Sequence, residues 1–267
     1  MRFCVRIMLA QILAAGLLAA SAVHAAEEID LALVLAVDVS RSMDTTEQKL
    51  QRDGYVNAFH HPDIIRAITQ GGIGKIAVTY VEWSGPGEQI VVVPWTTIES
   101  ADTAHRFADR LDRAPISRID RTSISSALTF SAGLLAARGA GALRQVIDVS
   151  GDGPNNTGAP VLTARGEVLA RGITINGLPI MLPNGLNDAG SIPDLDLYYR
   201  NCVIGGPNAF TIAIRSSSEF TNATRRKLIL EISATEPAPS MPDLVIRTAG
   251  PGYDCTAAER QRFFFQP

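Results

Sequence analysis

The sequence predicts an α/β protein: a doubly wound, mostly parallel six-stranded sheet with one antiparallel edge strand and helices on both faces. Three observations carry this. Leu31 to Val37 is a continuous apolar run, the pattern of a central strand buried on both faces. Strand-like runs alternate with helix-period segments along most of the chain, which favours a parallel sheet covered by helices over a barrel. IGKIAVTYVEW and EQIVVVPW are separated only by Ser84-Gly85-Pro86-Gly87, a turn composition that makes a hairpin and places one antiparallel strand on the sheet.

In chain order, residues 1–25 read as a secretory signal peptide, with Arg2 and Arg6, an apolar core from Ile7 to Ala20 and small residues before a cut after Ala25. The apolar segment is short and interrupted by Gln11, against an uncleaved membrane anchor. Removing it takes two arginines and no acids, so the formal charge of −3 becomes −5. Mild acidity without a basic tract argues against nucleic acid as a partner and against an electrostatically held membrane protein. No later segment reads as membrane-spanning, so a periplasmic or secreted protein with no stable membrane insertion is expected. About 240 mature residues suffice for one large core, and no Pro/Gly-rich linker divides them. Residues 26–236 form the expected domain and residues 237–267 a tail packed upon it.

Asp38, Ser40 and Ser42 place one carboxylate and two hydroxyls at alternate positions where the first strand ends. Oxygen-only ligands suit a hard cation such as Mg²⁺ or Mn²⁺. Asp44 with Glu47 makes a helix-start capping box, followed by an apolar side through Phe59; Pro62 opens a short continuation to Ile68. After the hairpin, Ala104, Phe107, Ala108 and Leu111 form one helical stripe. Ile124, Ala127, Leu128, Ser131 and Leu135 form the next, so Thr122 stands at or beside its start, where a helix cap is an ordinary role. Leu143 to Val149 is a strand interrupted by Asp148, which needs a partner to offset burial, and it leads into Ser150-Gly151-Asp152-Gly153. A helix through Val161, Ala164 and Val168, the strand ITINGLPIML, a short helix or loop from Pro193 to Gly206, the strand Ala209 to Ile214 and a helix from Phe220 to Ile232, rich in Arg and Lys on one side, complete the body.

The Asp38-x-Ser40-x-Ser42 stretch after a hydrophobic strand resembles the metal-ion-dependent adhesion site of von Willebrand factor A domains. The resemblance covers roughly Ile29 to Ala234 and is nearest to small secreted bacterial members of unassigned function. It implies that Thr122 and Asp152 complete the site, directly or through water, with Asp152 preferred over Asp148, and that Mg²⁺ or Mn²⁺ held there meets an Asp or Glu of a protein partner. The loop departs from the family's usual Thr-Asp-Gly, reading Ser-Gly-Asp-Gly.

A binding module rather than an enzyme is therefore expected. The competing readings are a metal-dependent hydrolase, for which His60, His61 and His105 remain available, and a scaffold with a lapsed metal site. No second aspartate follows two positions after Asp38, and the chain shows no GxSxG turn, HExxH pair or phosphate loop. Asn155 and Asn222 match a glycosylation pattern, which chance explains better in a bacterial-looking chain. Export removes Cys4, leaving Cys202 and Cys255 either as a disulfide or as two buried thiols. A disulfide would close a loop of about 54 residues and contribute ~4 kcal/mol by the chain-entropy estimate.

Overall fold

The structure, a computed structural model, describes residues 27–41, 43–117, 121–182, 192–233 and 252–261. Residues 1–26, which include the expected signal peptide, lie outside the described residues, as do Ser42 and much of the tail. Strand β1 (Ile29–Asp38) is central in a sheet of order β3-β2-β1-β4-β5, with β2 Ile76–Trp83, β3 Gln89–Ile98, β4 Ala142–Gly151 and β5 Thr174–Pro179. β1 pairs in parallel with β2 and β4, and β4 with β5, whereas β3 runs antiparallel along the edge as the hairpin predicts.

The continuous apolar run of β1 resolves into two interleaved sets. Leu31, Leu33, Leu35 and Val37 enter one core, and Ala32, Val34 and Ala36 the other, because successive side chains of a strand point to opposite faces. Helices α1 (Thr45–His60), α2 (Pro62–Thr69), α3 (Ala101–Arg113) and α7 (Phe220–Ser233) cover the first face. Helices α4 (Ile124–Arg138), α5 (Val161–Leu169) and α6 (Leu195–Tyr198), with a π turn at Tyr199–Val203, cover the second. Local signals hold: Asp44 and Glu47 make the capping box of α1, Pro62 stands in the first turn of α2, and the α3 stripe is buried.

The expected strand from Ala209 to Ile214 pairs with β5 only through isolated bridges at Thr211 and Ile214. The Gly177 amide donates to Phe210 O (3.1 Å) and Ile212 N to Gly177 O (3.2 Å); farther along, Ile214 N donates to Pro179 O (2.9 Å) and Met181 N to Ile214 O (2.7 Å). The alternation calls for a donor at position 179, and Pro179 has no N–H. The sixth strand is thus interrupted at its middle, and the ladder proper has five strands among the described residues.

Asp148 finds its partner from α7. It faces the first core at 0 % exposure and forms an ion pair with Lys227, which also pairs with Glu231 one turn on. Asn176 of β5 donates to the same Glu231 oxygen (3.0 Å). Lys227, which the sequence places on a charged helix side, is therefore a core residue. Two carboxylates share one ammonium: burial first, then the Asp148 charge, lifts Glu231 from its ordinary 4.5 to about 7. Between those values the folded chain holds more protons than the unfolded one, so this group's contribution makes stability fall as pH rises through the window. Lys227→Met should cost about 3–5 kcal/mol at pH 8, because it leaves two buried acids uncompensated. The loss should be smaller at pH 5, where they take up protons; urea denaturation at both pH values checks this, and equal losses would contradict it.

Candidate metal centre

Parallel register assembles the site. Val37 of β1 pairs with Ser150 of β4, so the next residues, Asp38 and Gly151, end side by side at the carboxyl edge of the sheet, where open α/β sheets bind ligands. A Cβ added to Gly151 would lie 2.8 Å from Asp38 Oδ2 and 2.9 Å from the Tyr199 hydroxyl. A glycine is required there because two polar side chains close over its backbone.

The three loops are bonded to one another. Val39 N donates to Trp83 O (3.0 Å), and Ser123 N donates to the next carbonyl, Ser84 O (2.8 Å). The Thr122 amide donates to Asn156 Oδ1 (3.1 Å), and Asn156 N returns a bond to Thr122 O (2.9 Å). Arg121 precedes this exchange at φ 78°, a left-handed turn that brings Thr122 down onto the Asp152 loop. Asn155, fully buried, accepts from Ser125 N (3.1 Å) and donates its own amide to the Tyr198 hydroxyl (3.1 Å). Its burial removes it as a glycosylation acceptor. Ser123, not Thr122, is the N-cap of α4, its side chain accepting from Ser126 N.

Of the predicted set, the structure brings Asp38, Ser40, Thr122 and Asp152 to this edge, and Ser42 lies outside the described residues. Asp38 is 1 % exposed; its Oδ1 accepts the Ser40 amide (2.7 Å), while Oδ2 has no hydrogen-bond partner. Burial, then the charge of Asp152, pushes the Asp38 carboxyl well above the usual carboxylate range, and bonds from Ser40 and from the Asp152 backbone only partly offset this. Asp148, one turn of the pleat deeper, belongs to the α7 ion pair. Two features escaped the sequence reading. The buried Tyr199 hydroxyl has no partner, and burial with the charges of Asp38 and Asp152 raises its pKa. Gln51 of α1 donates to Ser150 Oγ (3.1 Å), and Gln48 to Val39 O (3.1 Å), tying α1 to two of the loops.

A divalent cation fits this arrangement. It would give the orphaned Asp38 oxygen a partner and offset the repulsion between Asp38 and Asp152, and the donors are all oxygen. Among the described residues no group of three or more His, Cys, Asp or Glu gathers as a metal site, so hydroxyls must complete any such set. Cys202 and Cys255 are joined as a disulfide, Cα atoms 5.5 Å apart. Among the described residues no helix is long and apolar enough to cross a membrane.

Residues 28–236 match the family described as "Protein of unknown function (DUF1194)". No curated protein matches the sequence. Among solved structures, proximal thread matrix protein 1 from the mussel byssus superposes with a TM-score of 0.57 at 15 % identity, covering 77 % of this chain and 48 % of that one. A further crystal of that mussel protein has a zinc-occupied MIDAS motif (TM-score 0.54, 14 % identity, covering 78 % and 48 %). A von Willebrand factor type A protein from Catenulispora acidiphila gives 0.53 at 14 % identity over 76 % of this chain and 43 % of its own. The pilus adhesin SpaC from Lactobacillus rhamnosus GG gives 0.56 at 14 %, over 76 % and 31 %. The chain thus spans about half the length of the mussel protein, and at these identities the likeness shows the fold.

The contact over Gly151 yields a direct test. Gly151→Ala should lower stability by about 1–3 kcal/mol, the usual cost of overpacking, in urea denaturation with chelator present. An unchanged midpoint would mean that Asp38 and Tyr199 do not close over this position.

Proposed function

The chain belongs to the DUF1194 family and has the von Willebrand factor A fold, and from that footing we propose that it is an exported binding module that uses a metal-ion-dependent adhesion site to recognise an acidic residue on a protein partner. The observation that carries this reading is the buried, unpartnered Asp38 Oδ2 beside Asp152, at an edge whose other donors are neutral oxygens. In this reading Asp38, Ser40 and Ser42 hold Mg²⁺ or Mn²⁺, with Thr122 and Asp152 contacting it directly or through water. The ion supplies positive charge that hydroxyls leave largely uncompensated, so an incoming Asp or Glu carboxylate gains from it. Asp38 stays deprotonated when the cation is present, Ser40 holds its Oδ1 in place, and the Thr122–Asn156 bonds keep the second loop against the third.

Binding rather than catalysis is supported by where the histidines stand. His60 closes α1, about 24 Å along the helix from the end that follows Asp38; His105 stacks on it at 4.9 Å, and His61 accepts from Asp63 N to cap α2 (3.1 Å). Among the described residues the hydrolase reading has no imidazole near the proposed ion.

Titration calorimetry on chelated protein should show Mg²⁺ or Mn²⁺ uptake that Asp38→Ala removes. Capture of a partner from the cell envelope should require the ion and an acidic residue on that partner, and Thr122→Ala should weaken capture while leaving the sheet folded, because Ser123 and not Thr122 caps α4. Metal-dependent turnover of phosphoesters or peptides abolished by Asp38→Ala, with partner binding indifferent to Thr122→Ala, would favour the hydrolase.

A further inference from the structure

The described end of the tail, residues 252–261, reaches the third loop of the candidate site. Helix α5 begins at Val161 after Pro160, which has no side chain able to cap the exposed amides of the first turn. Glu259 supplies the missing acceptor from nearly a hundred residues away. Its Oε1 accepts from Val161 N (2.8 Å) and from Asn155 Nδ2 (2.8 Å). Asn155 is the buried hub whose Oδ1 holds the Ser125 amide and whose backbone amide bonds to Tyr198. One tail carboxylate therefore joins the start of α5, the loop that carries Asp152, and the start of the helix that follows Thr122.

The tail is held in place for this contact by two further attachments. Cys255 is bonded to Cys202, which is fully buried in the π turn that also carries Tyr199. Tyr253 donates to Asp194 Oδ2 (2.8 Å) and its ring packs on that of Tyr198, centroids 6.4 Å apart. With Cys255 8 % exposed and Cys202 at 0 %, the disulfide is shielded from exchange with external thiols and acts as a standing brace.

We propose that Glu259, delivered by the Cys202–Cys255 disulfide, is a positioning residue of the candidate metal centre: through Asn155 it holds the Asp152 loop in place, so that cation affinity depends on the tail. The inference rests on the metal reading for its affinity consequence and on the hydrogen bonds alone for its structural one. The test uses the full exported chain with three changes: Glu259→Ala, Glu259→Gln and the double change Cys202→Ser/Cys255→Ser. Mn²⁺ titration should show about a tenfold loss for Glu259→Ala, the low end for an outer partner of a metal ligand. Glu259→Gln keeps an oxygen acceptor and should retain wild-type affinity. The double cysteine change should act in the same direction as Glu259→Ala. Hydrogen exchange in chelator should show faster exchange of amides 153–158 in Glu259→Ala, with the β1 and β4 amides unchanged. If the wild-type chain takes up no Mn²⁺, the metal reading fails and the exchange data alone decide the brace. Wild-type affinity together with wild-type exchange in Glu259→Ala would overturn the proposal.

Discussion

Repulsion between Asp38 and Asp152 is the constraint on which the carboxyl edge depends. Asp38 is forced into burial because it ends the central strand, flanked by β2 and β4 and followed by a loop that folds back on Trp83. Asp152 arrives from the neighbouring strand two residues after Ser150, which pairs with Val37. A chain selected only for stability would place an apolar residue or an internal cation here, since a buried charge without compensation is among the costliest features a core can carry. Instead the protein spends a glycine at 151, several backbone bonds and a tyrosine to hold the acids close while leaving one oxygen without a partner. A buried oxygen without a partner calls for an explanation, and the proposed cation supplies one.

Four residues upstream on the same strand, Asp148 shows the alternative solution. It is as buried as Asp38, and burial raises its pKa as well, but α7 answers it with Lys227, and Asn176 steadies the shared Glu231. That charge is neutralised from within, so it holds α7 to the sheet. The two acids face different compensation because of where the strand ends: Asp148 is under a helix, Asp152 beyond it. The same residue type is structural within β4 and a ligand candidate just past its end.

Much of this was legible in the sequence, and for local reasons. Strand and helix periods, the capping box at Asp44, Pro62 and the Ser-Gly-Pro-Gly hairpin depend on residues within a few positions of each other, and all appear where the pattern places them. The loop residues Asp38, Ser40, Thr122 and Asp152 were legible as a set through the resemblance to von Willebrand factor A domains, since Thr122 and Asp152 stand far from Asp38 in the chain. What could not be read depends on distant pairing. Lys227 looked like a surface lysine because only the fold aims it at Asp148. Tyr199 looked like part of an irregular segment, yet the π turn sets its hydroxyl over Gly151. The interrupted sixth strand did leave a local signal, since Pro179 sits where a ladder donor is needed, but its meaning required knowing which edge of β5 was still unpaired.

The tail extends this logic of distant pairing to the site itself. The Asp152 loop is bonded to Thr122 and Ser123 on one side, and through Asn155 it reaches Ser125, Tyr198 and Glu259 on the other. An asparagine can satisfy several groups at once only if each partner is fixed, because its amide has a single orientation that serves all of them. Ser125 and Ala159 are fixed by their own helix and loop, and Glu259 is fixed by a covalent bond four residues away. A carboxylate so tethered loses little further freedom when it bonds, which makes it a better restraint than the same side chain on an untied tail. The disulfide therefore does more than close a loop: the tethered tail becomes a second wall for the loop that carries the candidate site's second acid.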